Sequence, residues 1–585
     1  MPEAQTSHQL THSISAAEPT PTQPVKKVGG VQGGFFFYKI LTFYSKYRLL
    51  TAFSLVLIGI ISLDILFHDY VFQNLIRNLQ TLLQGPLILP DQMDLSFAPE
   101  VWLSVVGISL GTLIIVISIA AQSIPKIVDV YMQDWISLFY IWFLVLAGIH
   151  AVFIKLYNEI IFLRPASVIL NIYIFLPIAI VLTLPYIFYI LQCTQPKNVI
   201  RRIFRNHLNQ IHDLTHRRIY RLLNIDVFIE ETQDNLFQSF NQLDNLLEYV
   251  PLKEAKAQII QDMSSLVQEY ITLKTSINPN FFKVSTRVRA DISFKTMIGQ
   301  FKEMEHTRTF YEQKCFRVLG NTYVQFLEQN EFDLASLCGS EMDRVGQMAL
   351  KMGDDRLLDV IIMRFNTMMR FALKHGVKNN EARNLYNAAF HYRNFIENLV
   401  RYKKVEHSKR SFAYLRLYGT EIFKYGRTSP SMYFIVDVFA AEMKRILILV
   451  YQENWSLEIQ SEMLNEMLQI DSYPDFKEID SDREQLVNTG VRVLQIGLGL
   501  FYLRHNNIDF VERIIQDILA DLDFLGEVTF RRGVELTCNR LRLSNPNFWE
   551  DTDRGSLNLY YTPDQDQIDR FLELFHEQMK RHLSH

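Results

Sequence analysis

Asp64 and His150 are ionisable residues within long apolar segments of the chain, and Asn171 lies in another such segment. An aspartate and a histidine can exchange a proton or hold a cation, but a charged group in lipid costs about 2.5 to 3.5 kcal/mol or more unless it is paired or faces a cavity. In the topology derived below, all three lie towards the outer membrane face, where Asp64 and His150 can meet. Solvation at the interface is the favoured interpretation, and an ion or proton site is the alternative.

Pro177 and Pro185 interrupt the last apolar segment. Each proline removes a backbone donor, which can kink a helix and free carbonyl groups for a neighbour or an ion. Because proline is frequent in membrane helices, the two residues alone do not define a pore.

The segment Gly107-Ile108-Ser109-Leu110-Gly111 matches the GxSxG pattern of serine hydrolases. That pattern exposes its serine only where a strand turns sharply into a helix, whereas this copy lies inside an apolar run. Small residues instead line one face of this run and predict close helix packing. These residues are Ser104, Gly107, Gly111 and Ser118.

A basic stretch follows the last apolar segment and also contains His207, His212 and His216. Its dense positive charge opposes a metal cation and favours anionic lipid headgroups, so we predict headgroup contact and no metal site. The arginines assigned to this contact are Arg201, Arg202, Arg205, Arg217 and Arg218.

No catalytic or cofactor-binding constellation occurs elsewhere in the sequence, which lacks GxxxxGK[ST], a GxGxxG after a strand, HExxH and paired CxxC motifs. We therefore expect no enzymatic activity and no cofactor. Basic and aromatic residues alternate between His391 and Arg416, but a solvated helix face with buried aromatics explains them, and the net charge of -4 does not favour nucleic-acid binding. The four cysteines are widely spaced, which is typical of buried thiols in a reducing compartment.

Four apolar runs must position these residues, at about 49–68, 101–121, 135–154 and 167–192. Each has about the 20 residues that a helix needs to cross a hydrocarbon layer of roughly 30 Å. Basic residues precede the first run and follow the fourth, so an even number of spans places both termini in the cytoplasm. The acidic loop 69–100 is then outside.

Three regions follow from this pattern: a disordered cytoplasmic tail (1–34), a transmembrane domain (35–197) and a cytoplasmic helical domain (198–585). Within the last, 276–300 is predicted to be an extended excursion or loop, and 471–482 and 543–561 to be surface loops. Gly353 and Gly376 are predicted to punctuate its helices. The fold class is all-α, with four transmembrane helices followed by a bundle or an irregular α-solenoid.

Three features of the sequence resemble a family of bacterial integral membrane proteins of unknown function. They are the hairpin layout of the four spans, the segment AAQSIPKIVDVYMQDW after the second span, and the segment MRFALKHGVKNNEARNLYNAAFHYRNF. The family's Ala-Leu-x-x-Gly-Ile-Asn-Asp-Pro motif is matched at Ala372, Leu373, Gly376, Val377 and Asn379. Asn380 and Glu381 replace its Asp and Pro. The resemblance implies a multi-pass inner-membrane protein and supplies no activity.

Together these features predict a membrane-anchored helical scaffold or sensor that contacts the bilayer and binds a cytoplasmic protein partner, with no nucleic acid. The alternative is a channel or transporter subunit with a cytoplasmic regulatory domain. Four spans leave little room for a pore, so that alternative requires a homo-oligomer.

Overall fold

The computed structural model describes residues 48–83, 95, 97–123, 134–160, 164–193, 195–426, 430–472, 488–552 and 555–584, which are predominantly helical. The predicted tail 1–34 and most of the predicted loop 471–482 lie outside these residues. The described residues form two compact units. One lies within Met1–Leu110 and Asp129–Val181, and the other lies within Gly111–Val128 and Leu182–His585.

Long apolar helices occupy the four predicted runs. With the shorter segments that continue them, the helices of this region are α1 (Arg48–Leu66), α2 (Gln73–Leu83), α3 (Phe97–Ser123), α4 (Trp135–Ile160), α5 (Pro165–Val168) and α6 (Leu176–Cys193). A π-helical segment, Phe67–Phe72, joins α1 to α2, and a second, Ile169–Phe175, joins α5 to α6. Within the described residues, four stretches are long and apolar enough to cross a membrane, namely Leu49–Leu82, Phe97–Ser118, Trp135–Ile160 and Pro165–Cys193.

The first of these helices is longer than the sequence predicts, because it continues through the π-helical segment to Leu83. The expected loop 69–100 is therefore wrong over its first part. Polar residues in α2 do not end the helix, since their side chains bond to backbone carbonyls of the same helix: Asn74 Nδ2 donates to Tyr70 O at 2.6 Å and Thr81 Oγ1 to Asn78 O at 2.7 Å.

The second unit continues with helices that pack side by side. Their bounds are α7 (Pro196–Asp213), α8 (Arg217–Leu222), α9 (Asp226–Tyr249), α10 (Lys253–Leu273), α11 (Thr286–Ala290) and α12 (Phe301–Thr307). Helix α7 packs against α9 and α10. The stretch 276–300, for which the sequence leaves an extended excursion open, instead contains short helical turns, because Asn278, Ser285 and Asp291 each cap a new turn with their side chains.

An array of antiparallel α-hairpins follows. Its helices are α13 (Phe310–Glu328), α14 (Phe332–Met352), α15 (Asp355–Asn379), α16 (Arg383–Arg401), α17 (Val405–Gly426), α18 (Pro430–Gln452), α19 (Leu457–Leu468), α20 (Thr489–Arg504) and α21 (Ile508–Leu519). Each helix packs against the next but one, so that α14, α16, α18 and α20 form one layer and α13, α15, α17, α19 and α21 form the other. Ion pairs tie successive helices of a layer about 50 residues apart, as in Arg393–Glu442 and Arg416–Glu466.

Left-handed residues end several of these helices and let the chain reverse. Gly353 has φ 69° after α14, as predicted, and Asn380 has φ 52° after α15. The prediction that Gly376 ends this helix is wrong, since α15 continues to Asn379. Gly376 has another purpose: a Cβ there would lie only 2.7 Å from Glu381 O, so its small size lets the turn fold back on the helix.

The chain ends with α22 (Leu522–Leu525), α23 (Glu527–Leu543), a short antiparallel hairpin of β1 (Asn547–Thr552) and β2 (Gly555–Leu557), and α24 (Ile568–Ser584). The hairpin lies in the segment 543–561 that the sequence predicts as a surface loop. Two strands this short are marginal on their own, and their pairing has an irregular register.

Candidate functional site

The four apolar helices bring together a polar cluster of Asp64, Trp102, His150 and Asn171. Asn171 Oδ1 accepts a hydrogen bond from Trp102 Nε1 at 2.8 Å, while Asn171 Nδ2 donates to Ala147 O at 2.9 Å and lies 3.2 Å from His150 Nδ1. His150 Nε2 lies 4.0 Å from Asp64 Oδ1. The prediction that Asp64 and His150 approach each other agrees with this geometry, and Asn171 belongs to the same cluster.

These contacts define the tautomer of the neutral His150 imidazole. The indole N–H of Trp102 can only donate, so it orients the oxygen of the Asn171 amide towards itself and the nitrogen towards His150. The amide nitrogen can only donate, so Nδ1 of the neutral imidazole must accept. The proton therefore resides on Nε2, the nitrogen that faces Asp64.

Burial within the cluster is graded. Trp102 and Asn171 are 1% and 0% exposed, whereas the side chains of His150 and Asp64 are 19% and 13% exposed. Asp64 Oδ1 accepts no hydrogen bond from the residues that the structure describes. The cluster thus consists of a fully satisfied amide–indole pair and an acid–base pair that can accept a further proton or water.

The π-helical segments place two of these residues. Asn171 lies within Ile169–Phe175, and its carbonyl accepts from Leu176 N, a bond spanning five residues. Asp64 stands one turn before Phe67–Phe72, where Gln73 N bonds to His68 O in the same way. A π-helical turn inserts a residue into the helical register and re-aims side chains, and such turns are frequent at functional sites.

The two predicted prolines lie at different distances from the cluster. Pro177 is the second residue after the second π-helical segment, and its missing N–H removes one α-helical bond there. Pro185 lies inside α6, about 20 Å along the helix from Asn171 at 1.5 Å per residue. Only Pro177 is therefore placed to affect the cluster.

The small residues of α3 do not form a close helix contact among the residues with described side chains. A Cβ added at Gly107 or Gly111 would meet no atom within 4 Å, and Ser104 and Ser118 are exposed. At Gly148 of α4, an added Cβ would be in ordinary van der Waals contact with Trp102 Cβ, at 3.6 Å. The packing role predicted for the α3 residues therefore stays a prediction, since no described atom lies within 4 Å of a Cβ added at Gly107 or Gly111.

Helix α7 separates its charges from its apolar residues. Arg201 and Arg205 are exposed and Arg202 is half-buried, while Val199, Ile200, Ile203 and Ile211 are buried on the opposite side. In α8, Arg217 and Arg218 are exposed as well. The five arginines predicted to contact headgroups therefore belong to helix faces that are largely solvent-accessible, and the contact itself stays a prediction.

The three histidines of this basic stretch do not converge. His207 is fully buried, lies 2.9 Å from the hydroxyl of Tyr311, and has its pKa lowered to about 3 by burial. His212 faces Glu269 at 3.5 Å, and His216 caps the start of α8. Among the residues that the structure describes, no group of three or more His, Cys, Asp or Glu side chains is arranged to hold a metal ion.

Basic side chains between His391 and Arg416 are paired with carboxylates of neighbouring helices. The pairs are Arg393–Glu442, Lys403–Glu453, Lys404–Asp355, Lys409–Glu462, Arg410–Asp359 and Arg416–Glu466. The aromatic residues Tyr392 and Phe412 are fully buried. These ion pairs join neighbouring helices of the array, and the predicted absence of nucleic-acid binding stays a prediction.

The described residues thus form a predominantly helical protein. Four of their helices are long and apolar enough to cross a membrane, and these helices surround the polar cluster. No family model and no curated protein matches the chain. Among solved structures, a circular tandem repeat protein with novel repeat topology and enhanced subunit contact surfaces is similar at 12% identity, with 81% of this chain and 98% of that chain covered and a TM-score of 0.22.

Proposed function

We propose that this chain is a multi-pass protein of a bacterial inner membrane and that its helical array is a cytoplasmic scaffold or sensor for a protein partner. The membrane part rests on the surfaces of the apolar helices. Large apolar side chains are solvent-exposed along them, for example Ile58 at 61%, Ile108 at 65% and Val181 at 69%. Such surfaces are favourable only against lipid or another apolar partner.

The observation that carries the scaffold part is the packing of α13–α21. Consecutive hairpins stack in two layers, which is the neighbour pattern of an irregular α-solenoid, and stacked helical repeats present long binding surfaces. Apolar side chains are exposed on both layers, including Met363 and Leu417 on one and Met352 and Phe434 on the other. A partner protein is the natural occupant of such a surface.

The proposed topology places both termini in the cytoplasm and the arginines of α7 and α8 at anionic headgroups. To test it, cysteines are introduced by Leu82→Cys and Arg201→Cys in a Cys193→Ser background, because the other native cysteines are buried. A membrane-impermeant maleimide should label only the Leu82→Cys variant in intact cells and both variants in lysed cells. Labelling of only the Arg201→Cys variant in intact cells would reverse the orientation, and complete extraction of the protein by alkaline carbonate would refute insertion.

The scaffold is tested by incorporating a photo-crosslinking phenylalanine analogue in cells at Met363, Leu417, Met352 and Phe434, one position per variant. A scaffold should give an adduct of one defined mass that is confined to the positions of one layer. The matched positions on the other layer are the control. Absence of adducts at all four positions, or the same mixture of adducts at each, would contradict the proposal.

A channel or transporter subunit is the second candidate function, and the polar cluster favours it. An ionisable pair among apolar helices is a feature of proton and ion pathways. The small-residue face of α3, where no described atom lies within 4 Å of a Cβ added at Gly107 or Gly111, suits contact between copies. In proteoliposomes with an internal pH dye, this function requires proton flux that Asp64→Asn abolishes and Asp69→Asn, an exposed acid on the same helix, leaves unchanged. A monomer without flux would refute it.

A further inference from the structure

Helix α15 carries more positive charge than the residues around it neutralise. Its two acids, Asp355 and Asp359, are already paired with Lys404 and Arg410. Five basic residues of this helix form no ion pair with any residue that the structure describes, namely Arg356, Arg364, Arg370, Lys374 and Lys378. The helix therefore has an excess of positive charge that the rest of the described array leaves uncompensated.

The imbalance continues on α13, at a place where the array otherwise has ion pairs. Residues about 50 positions apart face each other on packed helices of one layer, and Arg416–Glu466 joins a base to an acid in this way. Arg317 of α13 and Arg364 of α15 are 47 positions apart on two packed helices of the same layer. Both are bases, so two like charges stand where other helices of the layer have a base and an acid.

The two guanidinium groups keep hydrogen-bonding capacity for a ligand. Arg317 Nη1 makes a long bond of 3.5 Å to Thr296 Oγ1, and its guanidinium carbon lies 5.9 Å from the centre of the Phe294 ring. Arg364 makes no hydrogen bond with the residues that the structure describes. The atom of each group that is buried without a partner is Nε, so the terminal nitrogens of Arg364 and Nη2 of Arg317 are accessible. These terminal nitrogens are the donors that an anion can reach.

The two arginines also repel each other. Burial and the charge of Arg317 lower the pKa of Arg364 to about 10, so both groups are charged at neutral pH. An anionic group that contacts both arginines would replace this repulsion by attraction.

Exposed residues of α15 extend the positive surface away from this arginine pair. Met363, Thr367, Arg370 and Lys374 follow each other at three- and four-residue spacing, which places them on one face of the helix. Arg370 and Lys374 are exposed, and Met363 is 62% exposed. Unpaired bases thus lie beside an accessible apolar side chain. We call Arg317, Met363, Arg364, Arg370 and Lys374 the α13–α15 basic surface.

We propose that the α13–α15 basic surface binds an acidic segment of the protein partner. Carboxylates of the segment pair with Arg317 and Arg364 and, further along α15, with Arg370 and Lys374, while an apolar residue packs on Met363. A guanidinium group binds a carboxylate through paired hydrogen bonds, so complementary charge supplies both affinity and orientation. This inference rests on the proposed scaffold function, and it assigns the partner's chemistry and the layer that it contacts.

The test is fluorescence anisotropy of a fluorescein-labelled peptide, EELEELEE, with the full chain in phosphatidylcholine nanodiscs. The peptide should bind and its affinity should fall as salt is added, whereas QQLQQLQQ should not bind. Arg317→Gln and Arg364→Gln should each weaken binding about tenfold or more, because each removes a charged hydrogen-bond partner. Arg401→Gln, an exposed arginine without an ion pair on α16 of the other layer, is the matched control and should leave binding unchanged.

The fold of each variant is checked separately. Arg364→Gln removes a repelled charge, so it should not lower the midpoint of thermal unfolding while it weakens the peptide. If this variant nevertheless unfolds, the double variant Arg370→Gln/Lys374→Gln tests the surface with exposed residues alone and should also weaken binding about tenfold or more.

Absence of peptide binding at low salt would overturn the proposal, as would binding that Arg317→Gln and Arg364→Gln leave unchanged. Binding of phosphatidylglycerol vesicles that Arg364→Gln abolishes, without binding of the peptide, would assign the surface to lipid and overturn it as well. The scaffold function is judged separately by the adducts in cells. A defined adduct at Met363 without peptide binding would retain the scaffold and reject the acidic segment, whereas peptide binding without any adduct would retain the surface and reject the scaffold.

Discussion

Lys274 connects three helices of the second unit through a buried ionic network. Its Nζ donates to Glu312 Oε1 at 2.6 Å and to Asp354 Oδ2 at 2.7 Å. Asp354 also caps the start of α15, since its Oδ1 accepts from Leu357 N at 3.1 Å. The lysine at the end of α10 therefore holds the first turn of α13 and the N-cap of α15 in one position.

Substitution Lys274→Met should strongly destabilise this region at neutral pH. Glu312 is 0% exposed, so loss of the lysine leaves a buried carboxylate without its cation. Removing one partner of a buried ion pair costs about 3 to 5 kcal/mol. In contrast, Lys351→Met on the exposed face of α14 should change stability by less than about 0.5 kcal/mol.

The loss of stability caused by Lys274→Met should become smaller as pH falls. Burial raises the pKa of Glu312 even with Lys274 present, and removal of the lysine raises it further. A carboxyl group with a raised pKa in the folded state stabilises the fold when protonated, at low pH, and loses that contribution as pH rises. Between pH 7.5 and 5.5 the variant should therefore recover up to about 2.7 kcal/mol relative to the original protein.

Hydrogen–deuterium exchange in nanodiscs measures this effect locally. A loss of 3 to 5 kcal/mol corresponds to exchange about a hundred to several thousand times faster in peptides of α10, α13 and the start of α15. Each variant is compared with the original protein at the same pH, and the double variant Lys274→Met/Glu312→Gln should exchange more slowly than Lys274→Met alone. Exchange within threefold of the original, or a difference independent of pH, would refute the electrostatic reasoning.

Three further predictions concern individual contacts. Gly346→Ala should lower the free energy of unfolding by about 1 to 3 kcal/mol, because the new Cβ would lie 2.6 Å from Phe395 Cδ2. In thermal unfolding, the double variant Gly346→Ala/Phe395→Leu should lose less stability than the sum of the two single variants. Additive losses would contradict the proposed overlap. Burial lowers the pKa of His207 to about 3, so the free energy of unfolding should fall by about 2 kcal/mol as pH falls from 6.5 to 5. His207→Phe should reduce this dependence of stability on pH. An unchanged dependence in acid unfolding would disprove the prediction. Trp102→Phe removes the donor that orients the side-chain amide of Asn171. Nitrogen NMR of His150 should then change from a single Nε2–H tautomer to a mixture of tautomers. An unchanged spectrum would show that the Trp102 indole does not control the tautomer.

Much of the helix pattern follows from local information. Apolar runs and three- to four-residue spacing locate most helices of the array, and Gly353 marks a real helix end. The pattern fails where a local rule competes with packing. Gly376 suggests a helix end but lies inside α15, because the following residue that adopts the left-handed conformation is Asn380. The small-residue face of α3 is a different case, because a pattern of small residues permits a close contact without requiring one, and no described atom lies within 4 Å of a Cβ added at Gly107 or Gly111.

Hydropathy alone indicates the four long helices and the depth of Asp64, His150 and Asn171 within them, because these properties depend on the types and order of neighbouring residues. The participation of Trp102, 69 residues from Asn171, has no such signal. The same holds for Arg317 and Arg364, which come together through the packing of α13 against α15. Helix rotation, π-helical turns and packing distance determine these contacts, and they emerge only when helices distant in the chain are placed against each other.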